Sequence, residues 1–155
     1  MKITQLRKPV VAMSGEGEEL HVLGTTLVRK AGEIDTGNTW ACFEEIAPVD
    51  TASPLHAHPW DEAYYILEGE VEILVDENIV MAAPGCFVNI PGGTPHQFTV
   101  RSFPYARFLV WFSPAQSAES FYGALAREMG AFPPADMNRV MEIAQKYNVQ
   151  VYTIE

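Results

Sequence analysis

The sequence is short of cysteine, of histidine and of positive charge, and it has no long apolar run. Its two cysteines, Cys42 and Cys86, form no metal-binding or redox motif. Both read as small buried apolar residues rather than as a disulfide or as thiolate ligands. Lys and Arg number 10 against 20 Asp and Glu, a formal net charge of −10. Such a chain repels phosphate backbones, so no nucleic-acid partner is expected. The same repulsion argues against an anionic membrane surface. No apolar stretch approaches the roughly 20 residues of a spanning helix. The basic residues within Met1 to Lys8 are not followed by an apolar segment, which argues against a secretory signal. The expected compartment is the cytoplasm. Repeats and low-complexity tracts are also missing. At 155 residues the simplest organisation is one domain over 1–155, long enough to close a single barrel core.

Against that background one cluster stands out. The chain has four histidines, and three of them fall in the set His56-x-His58-x3-Glu62 with His96 further on. Imidazole nitrogens with one carboxylate oxygen suit a first-row transition metal. Side chains alternate along a strand, so His56, His58 and Glu62 share parity and point into one space if the strand is regular. The remaining histidine, His21, has no such neighbour and reads as a surface or satisfied residue.

Residues from about 20 to 112 read as short strands divided by Gly, Pro, Asn and Asp. Leu20 to Lys30 alternates weakly, and Ala31-Gly32-Glu33 breaks it. Thr39 to Ile46 predicts a strand ending at Pro48. Asp61 to Leu67 puts Tyr64 and Ile66 on the Glu62 face. Val71, Ile73 and Val75 alternate as in a half-buried strand. Asp76-Glu77-Asn78 and Pro84-Gly85 are turns, and Pro91 to Pro95 is a tight loop delivering His96. His96, Phe98 and Val100 then share a face. Arg107 to Phe112 is apolar on both faces except for Arg107, as in a strand covered on both sides. Ser113-Pro114 predicts a helix start, with Ser113 capping and Pro114 at the first helical position. Ala118, Phe121, Tyr122, Leu125, Ala126 and Met129 follow at helical spacing, and Gly130 can end the helix. Phe132-Pro133-Pro134 separates a second helix carrying Met137, Val140, Met141, Ala144 and Tyr147. Val149 to Ile154 reads as a short last strand. The sum is mainly antiparallel β, with two C-terminal helices over about 114–148.

The residues around the histidines carry a resemblance. Glu62 is followed after six residues by Gly69. Gly85, Pro91, Gly93 and His96 follow the spacing Gly-x5-Pro-x-Gly-x2-His. These segments resemble the two signature motifs of the cupin superfamily. Asp50 stands where the first motif has its leading glycine, and Val100 stands where the second has its final asparagine. Neither is a ligand position in that family, and the asparagine is often replaced in relatives. The motif likeness spans about 48–101, and the style of the chain extends it to about 35–148. The helical tail resembles the single-domain, quercetin dioxygenase-like branch.

The resemblance implies a double-stranded β-helix, the jelly-roll barrel. It also implies one divalent transition metal per chain, held by His56, His58, Glu62 and His96. Three imidazoles and a carboxylate leave room for substrate or dioxygen, unlike a closed structural zinc site. Iron, manganese or nickel are the first expectations, with copper, cobalt or zinc as alternatives. Glu62 is the expected catalytic group, a ligand that can also act as a base. Trp60, Tyr64, Ile66, Phe98 and Val100 are the expected substrate pocket. Trp40 or Phe43, with Phe108 or Phe112, could complete its wall. No Lys or Arg near the motifs shares the ligands' parity, with the face of Arg107 left open. That argues against phosphorylated substrates.

Two classes of function follow. One is a metal-dependent dioxygenase acting on a small aromatic or enolisable compound. The other is a non-redox isomerase or lyase, or a non-catalytic small-molecule-binding protein. Apart from Glu62, the motif region offers no convincing acid or base, and Asp61 has the opposite parity. A homodimer is expected from the family habit and from the apolar Arg107 to Phe112 run.

Overall fold

The computed structural model describes residues 7–129 and 136–153. Eleven strands and three helices are found among them. A six-stranded sheet has the order β1-β2-β3-β10-β5-β8, and a five-stranded sheet has the order β11-β4-β9-β6-β7. In the first sheet these are β1 (Glu19–Val22), β2 (Thr25–Ala31), β3 (Ala41–Pro48), β5 (Asp61–Glu68), β8 (Phe87–Ile90) and β10 (Tyr105–Ser113). In the second they are β4 (His56–Ala57), β6 (Val71–Val75), β7 (Asn78–Ala82), β9 (His96–Val100) and β11 (Gln150–Val151). The helices are α1 (Glu33–Thr36), α2 (Ala115–Met129) and α3 (Met137–Lys146). The named strand pairs are antiparallel throughout. This is the expected jelly roll with two C-terminal helices. No helix of the described residues is long and apolar enough to cross a membrane.

The inward faces of the two sheets make the core. Along β10, Ala106, Phe108, Val110 and Phe112 are buried, while Arg107, Leu109 and Trp111 are half-buried on the outer side. The expected double cover of this strand is therefore partial. Arg107 faces outward, where its guanidinium donates to Glu44 (3.3 Å) and Glu68 (3.4 Å). Phe108 meets Tyr64 and Phe98 edge-on, each with ring centroids 5.6 Å apart. Full burial of one such ring is worth roughly 1.5–3 kcal/mol, so a few of them set the spacing of the sheets.

Several local expectations shift for physical reasons. The Leu20 to Lys30 stretch is a hairpin, because Leu23 (φ 49°) and Gly24 (φ 85°) turn the chain between β1 and β2. Ser113 ends β10, where its hydroxyl donates to Thr39 O (2.7 Å) instead of capping α2. The first turn of α2 is capped from a distance: Gln116 N–H donates to Asn38 Oδ1 at 2.8 Å. Helix α2 then buries Ala118, Phe121, Leu125 and Met129 against the barrel. Helix α3 takes its cap from Asp136, whose carboxylate accepts from Asn138 N–H at 3.0 Å. It buries Val140 and Ala144 and leaves Met137 and Met141 exposed, because its contact with α2 uses one narrow stripe. The last strand is only Gln150–Val151, pairing with Ala57 and His56. Gly130 and the Phe132-Pro133-Pro134 separator lie outside the described residues.

Candidate metal centre

The four ligand candidates come from both sheets and from the loop after β4. His56 on β4 and His96 on β9 are direct partners across the second sheet. His58 follows β4 in the loop. Glu62 sits on β5 of the first sheet, opposite Phe112 and Ile90. One donor atom from each of His56, His58, Glu62 and His96 lies within 4.8 Å of all the others, and all four residues are buried.

Hydrogen bonds fix which nitrogen of each ring faces the cluster. Nδ1–H of His56 donates to Pro54 O (2.7 Å), that of His58 to Trp60 O (2.9 Å), and that of His96 to Thr94 O (2.8 Å). A carbonyl can only accept, so each Nδ1 must carry the hydrogen. A neutral ring then turns a bare Nε2 lone pair inward. Yet His58 Nε2 lies 2.6 Å and His96 Nε2 3.1 Å from Glu62 Oε2. Lone pairs on nitrogen and carboxylate oxygen repel unless a cation or proton lies between them. The donor set therefore fits a divalent ion, with backbone carbonyls holding the rings as is usual around metal-bound histidine.

The electrostatics agree. Burial raises the Glu62 carboxyl, but hydrogen bonds to His58 and His96 and their charges outweigh it and hold Glu62 well below the usual carboxylate range. Burial and the neighbouring His96 push His56 down to about 4, which keeps it neutral and able to bind a metal at neutral pH. For His96, burial favours the neutral ring, but Glu62 overcomes it and raises the pKa.

A cavity of about 50 Å³ adjoins His56 and Glu62. Tyr64 and Phe98 wall it from the barrel, Leu23 and Thr25 from the β1–β2 hairpin, and Tyr122 from α2. Trp60, Ile66 and Val100 are buried but do not line it. Trp60 stacks on the His58 ring, with centroids 4.4 Å apart and planes 10° from parallel, and also meets Phe121. Its Nε1–H finds no hydrogen-bond partner among the described residues. A larger concavity of about 830 Å³ lies on the outer face of the first sheet, between Trp40, Trp111 and the segment from Arg7 to Ala12. None of the four ligand candidates lines it.

Comparison with known proteins agrees with this geometry. Residues 42–112 match the cupin domain family. The matches support a cupin superfamily member. It is 29% identical over 97 residues to quercetin 2,3-dioxygenase of Bacillus subtilis, covering 62% of this chain and 29% of that protein. It is 30% identical over 79 residues to dimethylsulfoniopropionate lyase DddQ of Ruegeria pomeroyi, covering 50% of this chain and 39% of that one. The matched segments thus span well under half of both relatives. Among solved structures, an RmlC-like cupin from Shewanella frigidimarina superposes with a TM-score of 0.61 at 17% identity, covering 71% of this chain and 95% of that chain. At that identity the likeness shows the fold.

The two departures from the cupin motifs turn out to be neighbours. Asp50 has φ 65°, in the left-handed region where the family's glycine is at ease and where Asp is one of the few tolerated substitutes. Its N–H donates to Val100 O (3.0 Å), and Val100 N–H donates to Thr51 O (2.9 Å). The motif's Gly69 is required sterically as well as by its φ of 80°: a Cβ there would lie 2.8 Å from Tyr105 O.

Other residues fall away from the cupin site. Asp61 faces out and accepts from Gly92 N–H at 2.8 Å. His21 is half-exposed, 3.3 Å from Thr26 Oγ1 and 3.7 Å from Glu19. Cys42 and Cys86 are free thiols outside the cluster, and burial pushes Cys42 up to about 11. Trp40 belongs to the outer concavity. One functional candidate was missed: Glu45 on β3 is buried and lines the same cavity as His56 and Glu62. Burial, with a smaller push from Glu62, raises it to about 8 against a hydrogen bond to Thr25. Its signal in the sequence was parity, since Glu45 falls in step with Ala41, Phe43 and Ala47, all core residues.

Proposed function

We propose that this cupin is a metal-dependent dioxygenase acting on a small aromatic or enolisable compound, in the manner of its quercetin dioxygenase relative. The convergence of three Nε2 atoms and Glu62 Oε2 beside a small cavity carries the reading. An ion held there would supply Lewis acidity and, if redox-active, access to dioxygen chemistry. Glu62, kept ionised, would hold or accept the substrate's acidic proton. Tyr64 and Phe98 would exclude water and shape the apolar side. The cavity of about 50 Å³ is far below the roughly 300–1,000 Å³ of drug-sized sites. A three-ring flavonol would not enter unless the walls part, so the substrate is a smaller enol or diketone. Iron, manganese or nickel is the proposed ion.

The test is metal content by mass spectrometry, followed by oxygen uptake with small diketones and catechols. Stoichiometric redox metal with substrate-dependent uptake supports the reading. Zinc with no uptake sinks it.

A second reading, a non-redox lyase or isomerase, is favoured by one observation. Two carboxyl groups, Glu62 and Glu45, face the same cavity. The likeness to a lyase supports it. Turnover without oxygen consumption would select it.

We further propose a cytoplasmic homodimer. The outer face of the first sheet supports this, since Tyr65, Phe87 and Trp40 are exposed there beside Trp111. A monomer in sedimentation at micromolar concentration would exclude the dimer.

A further inference from the structure

Glu45 sits where a core residue belongs. Its neighbours on the same face of β3, Phe43 and Ala47, are buried apolar side chains, and its cross-strand partners are Leu27 and Phe108. Burying a polar group there is costly unless its hydrogen bonds are met. Leucine would fill the position at less cost, so the carboxyl calls for a function.

Its surroundings favour the neutral acid. Burial, with a smaller push from Glu62, raises its pKa to about 8 against a hydrogen bond to Thr25. Thr25, whose hydroxyl donates to Val22 O at 3.0 Å, lines the same wall. The other titratable groups on the wall are Glu62 and Tyr64 of β5, His56 of β4 and Tyr122 of α2. Among the described residues that line it, none is Lys or Arg, so nothing on the wall offers Glu45 a counter-charge as a carboxylate.

Size supplies the rest. A cavity of about 50 Å³ compares with about 30 Å³ for one water in the liquid. Glu45 and Glu62 both line it, so an occupant that fills it meets both.

We propose that Glu45 is a second substrate-contacting acid of this site, a hydrogen-bond donor that selects small ligands carrying two oxygen acceptors, one for the metal centre and one for Glu45. This rests on the metal reading above and narrows it: the ligand is a small carboxylate, keto acid or enol rather than a hydrocarbon ring with a single oxygen.

Acetate is the probe, because its second oxygen can accept from Glu45. The protein is loaded with cobalt(II), metal content is measured, and acetate is titrated against the visible spectrum. Glu45→Leu is expected to keep its cobalt and to weaken acetate binding roughly tenfold to a hundredfold, the value of one hydrogen bond to a charged group. Glu45→Gln keeps a donor and is expected to stay within about threefold of the parent by the same reasoning. Failure of the parent protein to take up cobalt overturns the metal reading itself. With cobalt bound, unchanged acetate affinity in Glu45→Leu overturns the role of Glu45 alone. An equal loss in Glu45→Gln overturns its assignment as a donor.

Discussion

His56 and His96 are cross-strand partners on β4 and β9, and their rings lie 4.3 Å apart between centroids. The pairing brings together two ligands far apart in the chain. It also makes the second sheet answerable for half of the metal centre. With Nδ1 of each ring bonded to a backbone carbonyl, neither ring can turn without losing that hydrogen bond.

His96→Ala is expected to lose most of the bound metal while keeping a folded barrel, because the core of β9 rests on Phe98 and Val100. The missing ring costs packing of roughly 1–3 kcal/mol but relieves the crowding of Nε2 against Glu62. Metal content by mass spectrometry and a thermal melt check both halves. Full retention of metal would remove His96 from the ligand set.

Trp60→Leu tests the support behind His58. The indole stacks flat on that ring, and groups that orient a metal-bound histidine are typically worth about 10–100-fold in affinity. A loss in that range is expected in a chelator competition. Trp60→Phe should retain most of the stacking, and it removes the unpartnered Nε1–H, so its stability should change little.

Glu45 gives the metal-free protein a pH dependence. Its folded pKa is raised to about 8, against about 4.3 in an unfolded chain. The folded state therefore binds the extra proton between those values. Its contribution is fully present below the unfolded pKa and is lost as pH rises through about 8. In thermal melts from pH 5 to 9, Glu45→Gln should gain on the parent as pH rises, by up to a few kcal/mol. A constant difference across that range would show that Glu45 does not titrate there.

Asp50 reports on backbone conformation. Its φ of 65° costs an L-residue about 1–2 kcal/mol, less for Asp than for most. Asp50→Gly should be neutral to within about 1 kcal/mol, since relief of strain offsets the greater freedom of the unfolded chain. Asp50→Val should destabilise by about 1–2 kcal/mol, because a β-branched residue resists positive φ. Denaturant melts separate the two. Equal effects would place the role of Asp50 in its side chain.

The candidate cluster was legible because its residue types and spacing are distinctive, with glycines and prolines marking the turns. Shared strand parity was not the cause: His58 lies in the loop after β4 and Glu62 on β5 of the other sheet. Strand faces were legible from alternation, as with Tyr64 and Ile66 beside Glu62. What stayed hidden depends on distance. Nothing near Gln116 announces that Asn38 caps its helix. Trp60 lies beside the ligands in sequence but turns its flat face to His58, away from the cavity. Glu45 was concealed by its twin: in Glu44-Glu45, one carboxylate meets Lys30 and Arg107 on the outer face, and the pair reads as solvent-facing. Only the completed barrel shows that the second points inward.

The pairing of Val151 with His56, and the bond from Tyr152 N–H to Leu55 O at 2.9 Å, set an order in time. During synthesis the four ligands leave the ribosome well before the strand that backs His56. A nascent chain can gather its histidines and glutamate early, but β4 gains its outer neighbour only once Gln150–Val151 has emerged. Ribosome-stalled chains ending before Gln150 should hold an ion more weakly than chains that carry this strand.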